Sequence, residues 1–75
     1  MQRYANKSGH SGVLAYELGD EAITVKFSGG DRYEYTAGSA GATHLARMRA
    51  LAQEGRGLST YISRHVRDRY ARKLD

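Results

Sequence analysis

Between Tyr35 and Leu45 the spacing of apolar residues changes from two to three and four, and that switch constrains the fold more than any other feature. Before it, Leu14, Tyr16 and Leu18 alternate with Val13, Ala15 and Glu17. Ile23, Val25 and Phe27 alternate with Thr24, Lys26 and Ser28, and Arg32-Tyr33-Glu34-Tyr35-Thr36 repeats the pattern. The breaks fall at Gly19-Asp20 and Gly29-Gly30-Asp31, which predicts three short strands joined by two hairpins. After the switch, Ser39 is the expected helix N-cap. Leu45, Met48, Leu51 and Ala52 then recur at helical intervals up to Gly55, a natural stop. Leu58, Ile62 and Val66 follow at every fourth position, with Tyr61 and His65 beside the stripe. The expected architecture is a three-stranded antiparallel β-meander followed by two amphipathic helices packed on one face, an α+β domain.

Side-chain faces select the register, because a slip of one residue turns every side chain over. A two-residue loop at Gly19-Asp20 sets Tyr16 opposite Ile23 and Leu14 opposite Val25. A three-residue loop at Gly29-Gly30-Asp31 sets Tyr33 opposite Phe27 and Tyr35 opposite Val25. One face then holds Leu14, Tyr16, Leu18, Ile23, Val25, Phe27, Tyr33 and Tyr35. The other holds Ala15, Glu17, Thr24, Lys26, Arg32 and Glu34. In a regular second helix Arg69 would fall inside the apolar stripe, so either the helix ends or loosens there or Arg69 packs its stem and snorkels, with Arg64 and Arg67 on the solvent side.

Seventy-five residues hold one small core and no second domain. The polar stretch Asn6-Lys7-Ser8-Gly9-His10-Ser11-Gly12 marks residues 1–12 as a flexible lead-in, with a short strand around residues 3–6, ahead of a single domain at 13–75. Cysteine is absent, which excludes a disulfide and a thiolate metal site. No apolar run is long enough for a signal peptide or a membrane span, so a cytoplasmic protein with no membrane attachment is expected. Proline is absent as well, and the nine glycines must supply the tight connections.

Charge is distributed unevenly. Eight of the twelve Lys and Arg residues lie at or beyond Arg47, together with only three acids. A basic C-terminal part on a near-neutral body suits an anionic partner, of which nucleic acid is the commonest.

Tyr33-Glu34-Tyr35, after a strand ending at Phe27 and a glycine turn, resembles the central Y-x-Y of the KTSC domain. That family is named for its place at the C-terminus of some lysyl-tRNA synthetases. Ala15-Tyr16-Glu17 is similar to its Gly-Tyr-Asp. Tyr61-Ile62-Ser63, Val66-Arg67 and Tyr70 are similar to its Tyr-Phe-Asn, Ile-Arg and Tyr positions, so the resemblance covers residues 8–73. Two departures stand out: Gly38-Ser39-Ala40-Gly41 replaces the usual proline after Y-x-Y, and the spacing from Gly57 to Tyr61 is longer. The resemblance implies structural roles for Tyr33, Tyr35, Tyr61 and Tyr70, and an RNA-binding module inferred from attachment to a tRNA synthetase.

Tyr33 and Tyr35 could stack bases on an open sheet, but the register puts them under the helices as core tyrosines. The open face has no aromatic and mixes Glu17 and Glu34 with Lys26 and Arg32. Arg56, Arg64, Arg67, Arg69, Arg72 and Lys73 are the better candidates, since arginine offers phosphate a planar, permanently charged fork. An ordinary solvated helix face is the alternative for the same residues. Gly38-Ser39-Ala40-Gly41 matches a G-x-x-G loop, yet lacks the Lys and Ser/Thr of a phosphate-binding loop and reads better as a flexible β-to-α turn. His10, His44 and His65 have no i, i+4 partner for a metal. Ser59, Ser63 and His65 are close in sequence without forming a nucleophile and oriented base. A non-enzymatic module without a cofactor is therefore expected, binding RNA or tRNA through a basic C-terminal helix. The alternative is an accessory module that docks on a larger protein through a free sheet edge. The oligomeric state is left open.

Overall fold

The computed structural model describes residues 1–7, 9 and 12–74. Five antiparallel strands follow one another across a sheet in chain order: β1 (Gln2–Arg3), β2 (Val13–Gly19), β3 (Ala22–Phe27), β4 (Arg32–Thr36) and β5 (Arg72–Lys73). Between β4 and β5 lie α1 (Ala37–Ala40), α2 (Ala42–Glu54) and α3 (Leu58–Tyr61), the last continuing into a π-helical turn, Ile62–Val66. The α+β class and the central meander match expectation. The strand and helix counts do not, because both chain ends add an edge strand and the β4–α2 connection adds a helical turn.

Both hairpins keep the expected faces but shift the register by two. Tyr16 pairs with Val25 and Leu18 with Ile23, so the first turn is Asp20-Glu21 instead of Gly19-Asp20. Glu21 takes the positive φ of 52° that such a turn requires. In the second hairpin Val25 pairs with Tyr33 and Ile23 with Tyr35. The loop has three residues, as expected, but they are Ser28-Gly29-Gly30. It is closed by bonds from Phe27 N–H to Asp31 O (2.9 Å) and Gly30 N–H to Phe27 O (2.8 Å). Gly30 supplies the positive φ, 95°.

One side chain of the expected core is displaced. The β2–β3 ladder is irregular between Val13 and Ala15, and this bulge reverses the alternation. Val13 is buried at 1% exposure while Leu14 stands 47% exposed. The remaining core is built as the alternation implies: Tyr16, Ile23, Val25 and Tyr35 from the sheet pack against Leu45, Met48, Leu51 and Ala52 of α2 and Leu58, Ile62 and Val66 beyond it.

Ser39 does not cap α2, whose N-cap is Gly41 without a side-chain bond; Thr36 instead caps α1. Its hydroxyl accepts from Ser39 N–H (3.1 Å) and the Ser39 hydroxyl accepts from Thr36 N–H (3.0 Å), a reciprocal capping box. Gly38-Ser39-Ala40 thus belongs to the helical turn α1 and not to an open loop, and Gly41 (φ 96°) redirects the chain into α2. Gly55 ends α2 in the left-handed conformation (φ 79°), as its position implies.

The four-residue spacing of Leu58, Ile62 and Val66 explains the π-helical turn. An α-helix advances about 100° per residue, so each four-residue step overshoots a full turn by about 40°. Widening the backbone to i→i+5 bonding takes up that drift, and all three side chains are buried. The helical segment stops at Val66, just short of the position where Arg69 would have entered the core. The chain reverses through Arg67-Asp68, and Arg69 N–H bonds to Val66 O (2.7 Å).

Residues 2–7 are built into the fold. Tyr4 is buried, its N–H bonds to Leu14 O (3.0 Å) and its hydroxyl accepts from Leu58 N–H (3.2 Å) at the start of α3. Lys7 N–H bonds to Gly55 O (2.7 Å). Ser8, His10 and Ser11, in the rest of the expected lead-in, lie outside the described residues, as does Asp75.

Candidate nucleic-acid interface

The π-helical turn and the segment after it leave β4 partly uncovered, and an open cleft of about 320 Å³ lies between them. Its aromatic wall comes from Phe27 at the end of β3, Tyr33 and Tyr35 on the inner face of β4, and Tyr70 from the returning chain. The rings form a connected cluster. Phe27 and Tyr33 meet edge to face with centroids 5.9 Å apart, Tyr33 and Tyr70 lie 4.7 Å apart, and Tyr35 and Tyr70 meet edge to face at 6.3 Å. Such geometries follow the ring quadrupoles. The polar rim is Ser63, Arg67 and Asp68.

The two tyrosines of the Y-x-Y pair divide between core and cleft. Tyr35 is buried, at 1% exposure, and burial pushes its phenol up to about 12, reinforced by Tyr33, Tyr70 and the Asp68 carboxylate. Tyr33 is half-buried, with the Lys73 ammonium 5.9 Å from its ring centre. Tyr70 is exposed, so the cluster presents one aromatic surface to solvent.

The six basic residues singled out from the sequence are not brought together. Arg72 and Lys73 lie on β5 instead of on a helix face. Arg72 Nε donates to Glu34 Oε1 at 2.9 Å, and Lys73 Nζ lies 3.5 Å from Asp31 Oδ1. These contacts tie β5 to β4 and its hairpin and partly neutralise both cations. Arg56 sits in the α2–α3 turn, at the opposite end of the last helical segment from Arg67. Arg64, Arg67 and Arg69 remain as an exposed trio around the cleft-lining turn, and among the described residues none of them forms an ion pair.

A second concentration of charge lies on the sheet face away from the helices. β1 sets Arg3 beside Ala15, Ala15 pairs with Lys26, and Lys26 pairs with Arg32. Three cations therefore stand in one row across four strands, bordered by Glu17 and Glu34 in the next. Sequence reasoning could not assemble this row, because it left Arg3 outside the sheet.

His44 and His65 form a third cluster, with Tyr61, that sequence spacing gave no reason to expect. His44 of α2 reaches Tyr61 of α3, sharing a 2.6 Å hydrogen bond between Nδ1 and the hydroxyl. The His65 ring stacks on His44 with centroids 5.4 Å apart and lies 4.4 Å from Tyr61. Tyr61 is thereby fixed between the two helices. Among the described residues no group of three or more His, Cys, Asp or Glu side chains is placed to hold a metal ion. No helix among them is long and apolar enough to cross a membrane.

Set against known proteins, the chain matches no family model, no curated protein and no solved structure.

Proposed function

We propose that the protein is a small non-enzymatic module that binds RNA through the segment leaving the π-helical turn. The observation that carries this is the exposed trio Arg64, Arg67 and Arg69, unpaired among the described residues and grouped within six residues beside the aromatic cleft. Arginine gives phosphate a charged, planar fork. An adjacent exposed aromatic favours single-stranded over duplex ligands, because unstacked bases offer their faces. The resemblance of Tyr33-Glu34-Tyr35, Tyr61 and Tyr70 to the KTSC pattern agrees with an RNA partner. Arg72, Lys73 and Arg56 contribute only long-range attraction in this reading, since two are paired to carboxylates and the third is remote.

Docking on a larger protein by strand addition draws less support. Arg32 O and Glu34 O, on the outer edge of β4, already accept from Leu74 N–H (2.8 Å) and Ala71 N–H (2.6 Å). The test is a titration of fluorescently labelled single-stranded RNA at low salt. Wild type should bind with an affinity that falls steeply with salt. Arg64→Ala together with Arg67→Ala should weaken binding about tenfold or more and flatten the salt slope by roughly 1.4, at about 0.7 per lost phosphate contact. Equal affinity in a folded double variant would refute the assignment.

A further inference from the structure

Resting on the RNA reading, we infer that the cleft between β4 and the returning chain takes one guanine base, stacked on Tyr70 and held at its Watson–Crick edge by Asp68. Tyr70 is 38% exposed and backed by Tyr33 and Tyr35, so it offers a supported ring face on the solvent side of the cluster. At about 320 Å³ the cleft is at the small end of ligand sites, sized for a single nucleotide and not for a run of bases.

Asp68 makes the pocket selective. An ionised carboxylate only accepts hydrogen bonds, and its two oxygens suit two adjacent donors. Guanine presents such a pair, N1–H beside N2–H. Adenine and cytosine each place a ring-nitrogen acceptor next to their amino donor. Uracil flanks its single N–H with two carbonyls. All three would set a lone pair against the carboxylate, a mismatch of the kind that sites built for hydrogen bonding reject strongly. Ser63 lines the same rim and supplies a hydroxyl donor for the O6 acceptor beside N1–H. Arg64, Arg67 and Arg69, all exposed, are left for the flanking phosphates. Asp68 is exposed and lines the same cleft as Tyr35, whose phenol its charge helps to raise.

The experiment compares 3′-labelled UUGUU, UUAUU and UUUUU ribonucleotides by fluorescence anisotropy at low salt, using wild type, Asp68→Asn and Tyr70→Ala. Asp68→Asn is nearly isosteric, Tyr70 is on the rim, and circular dichroism checks that both variants are folded. Wild type should prefer UUGUU by about tenfold over the other two, as one well-matched base edge allows. Asp68→Asn should reduce that preference to less than about twofold while retaining the salt-dependent affinity for UUUUU. Tyr70→Ala should lower affinity for UUGUU by about tenfold or more, the usual worth of a lost stacking platform. Equal, salt-dependent binding of all three oligomers by wild type would overturn the guanine pocket and leave the phosphate contacts standing. A preference that survives Asp68→Asn would also overturn it. Absence of binding by any oligomer would overturn both.

Discussion

Gly55 shows how much a single position can carry. It holds φ at 79°, and a Cβ added there would lie 2.5 Å from the Cβ of Ala5. Gly57 has the same φ, yet an added Cβ would meet only the Leu51 Cδ2 at 3.7 Å, an ordinary contact. Gly57→Ala should therefore cost only the left-handed penalty, about 1 kcal/mol. Gly55→Ala should cost about 2–4 kcal/mol, because the N-terminal segment must also be pushed off α2. Urea denaturation of the two variants side by side separates the terms, and equal losses would mean that residues 4–7 do not press on α2. Tyr35 gives the pH counterpart. Its folded-state phenol titrates near 12 against an ordinary value of 10.0, so the neutral form is the one the fold favours. The stability it supplies is complete below pH 10 and is lost as pH rises from 10 towards 12, by roughly 1–3 kcal/mol. Tyr35→Phe, which cannot ionise, should flatten that alkaline decline in denaturant midpoints measured at pH 9 and pH 11.5.

At the level of elements, parity was legible and register was not. Alternation of apolar residues places Tyr16, Ile23, Val25, Tyr33 and Tyr35 on one face whichever of two registers forms, because the registers differ by two residues. Choosing between them required the turn geometry. Glu21 in a positive-φ position gives no sequence signal, whereas Gly19 next to Asp20 gives a misleading one. The bulge was equally silent, since Val13 and Leu14 are both apolar and either could face inward. Val13→Ala should cost about 2 kcal/mol and Leu14→Ala less than about 0.5 kcal/mol, the reverse of their sizes. Thermal unfolding of the pair decides the matter. β1 and β5 have two residues each, too short to show a period, so the strand positions of Arg72 and Lys73 and their carboxylate partners were not readable. The helices were more legible: every apolar residue assigned to the stripes of α2 and the last helical segment is buried. Of the candidate site, exposure of Arg64 and Arg67 followed from the helical pattern, whereas that of Arg69 depends on the helix ending at Val66. The meeting of Tyr70 with Tyr33 did not, because it depends on the reversal at Arg67-Asp68.

For the molecule as a whole, long-range closure matters more than any one helix. The Tyr4 hydroxyl and Leu58 N–H that share a hydrogen bond are 54 residues apart, and the bond is buried. A chain lacking residues 1–7 would lose a core aromatic, the β1 pairing and the partner of Gly55 O together. It should be destabilised by at least about 3 kcal/mol, the scale of deleting one buried aromatic side chain. Far-ultraviolet circular dichroism melts would show this as a large fall in midpoint, whereas an unchanged midpoint would mean that residues 13–74 form a self-sufficient unit.

The same link sets an order of events during synthesis. Tyr4 leaves the ribosome 54 residues before the amide it serves. Until that amide is made the phenol has no resting place. The nascent chain therefore cannot close this part of its core before the start of α3 emerges and the segment around Tyr4 can dock.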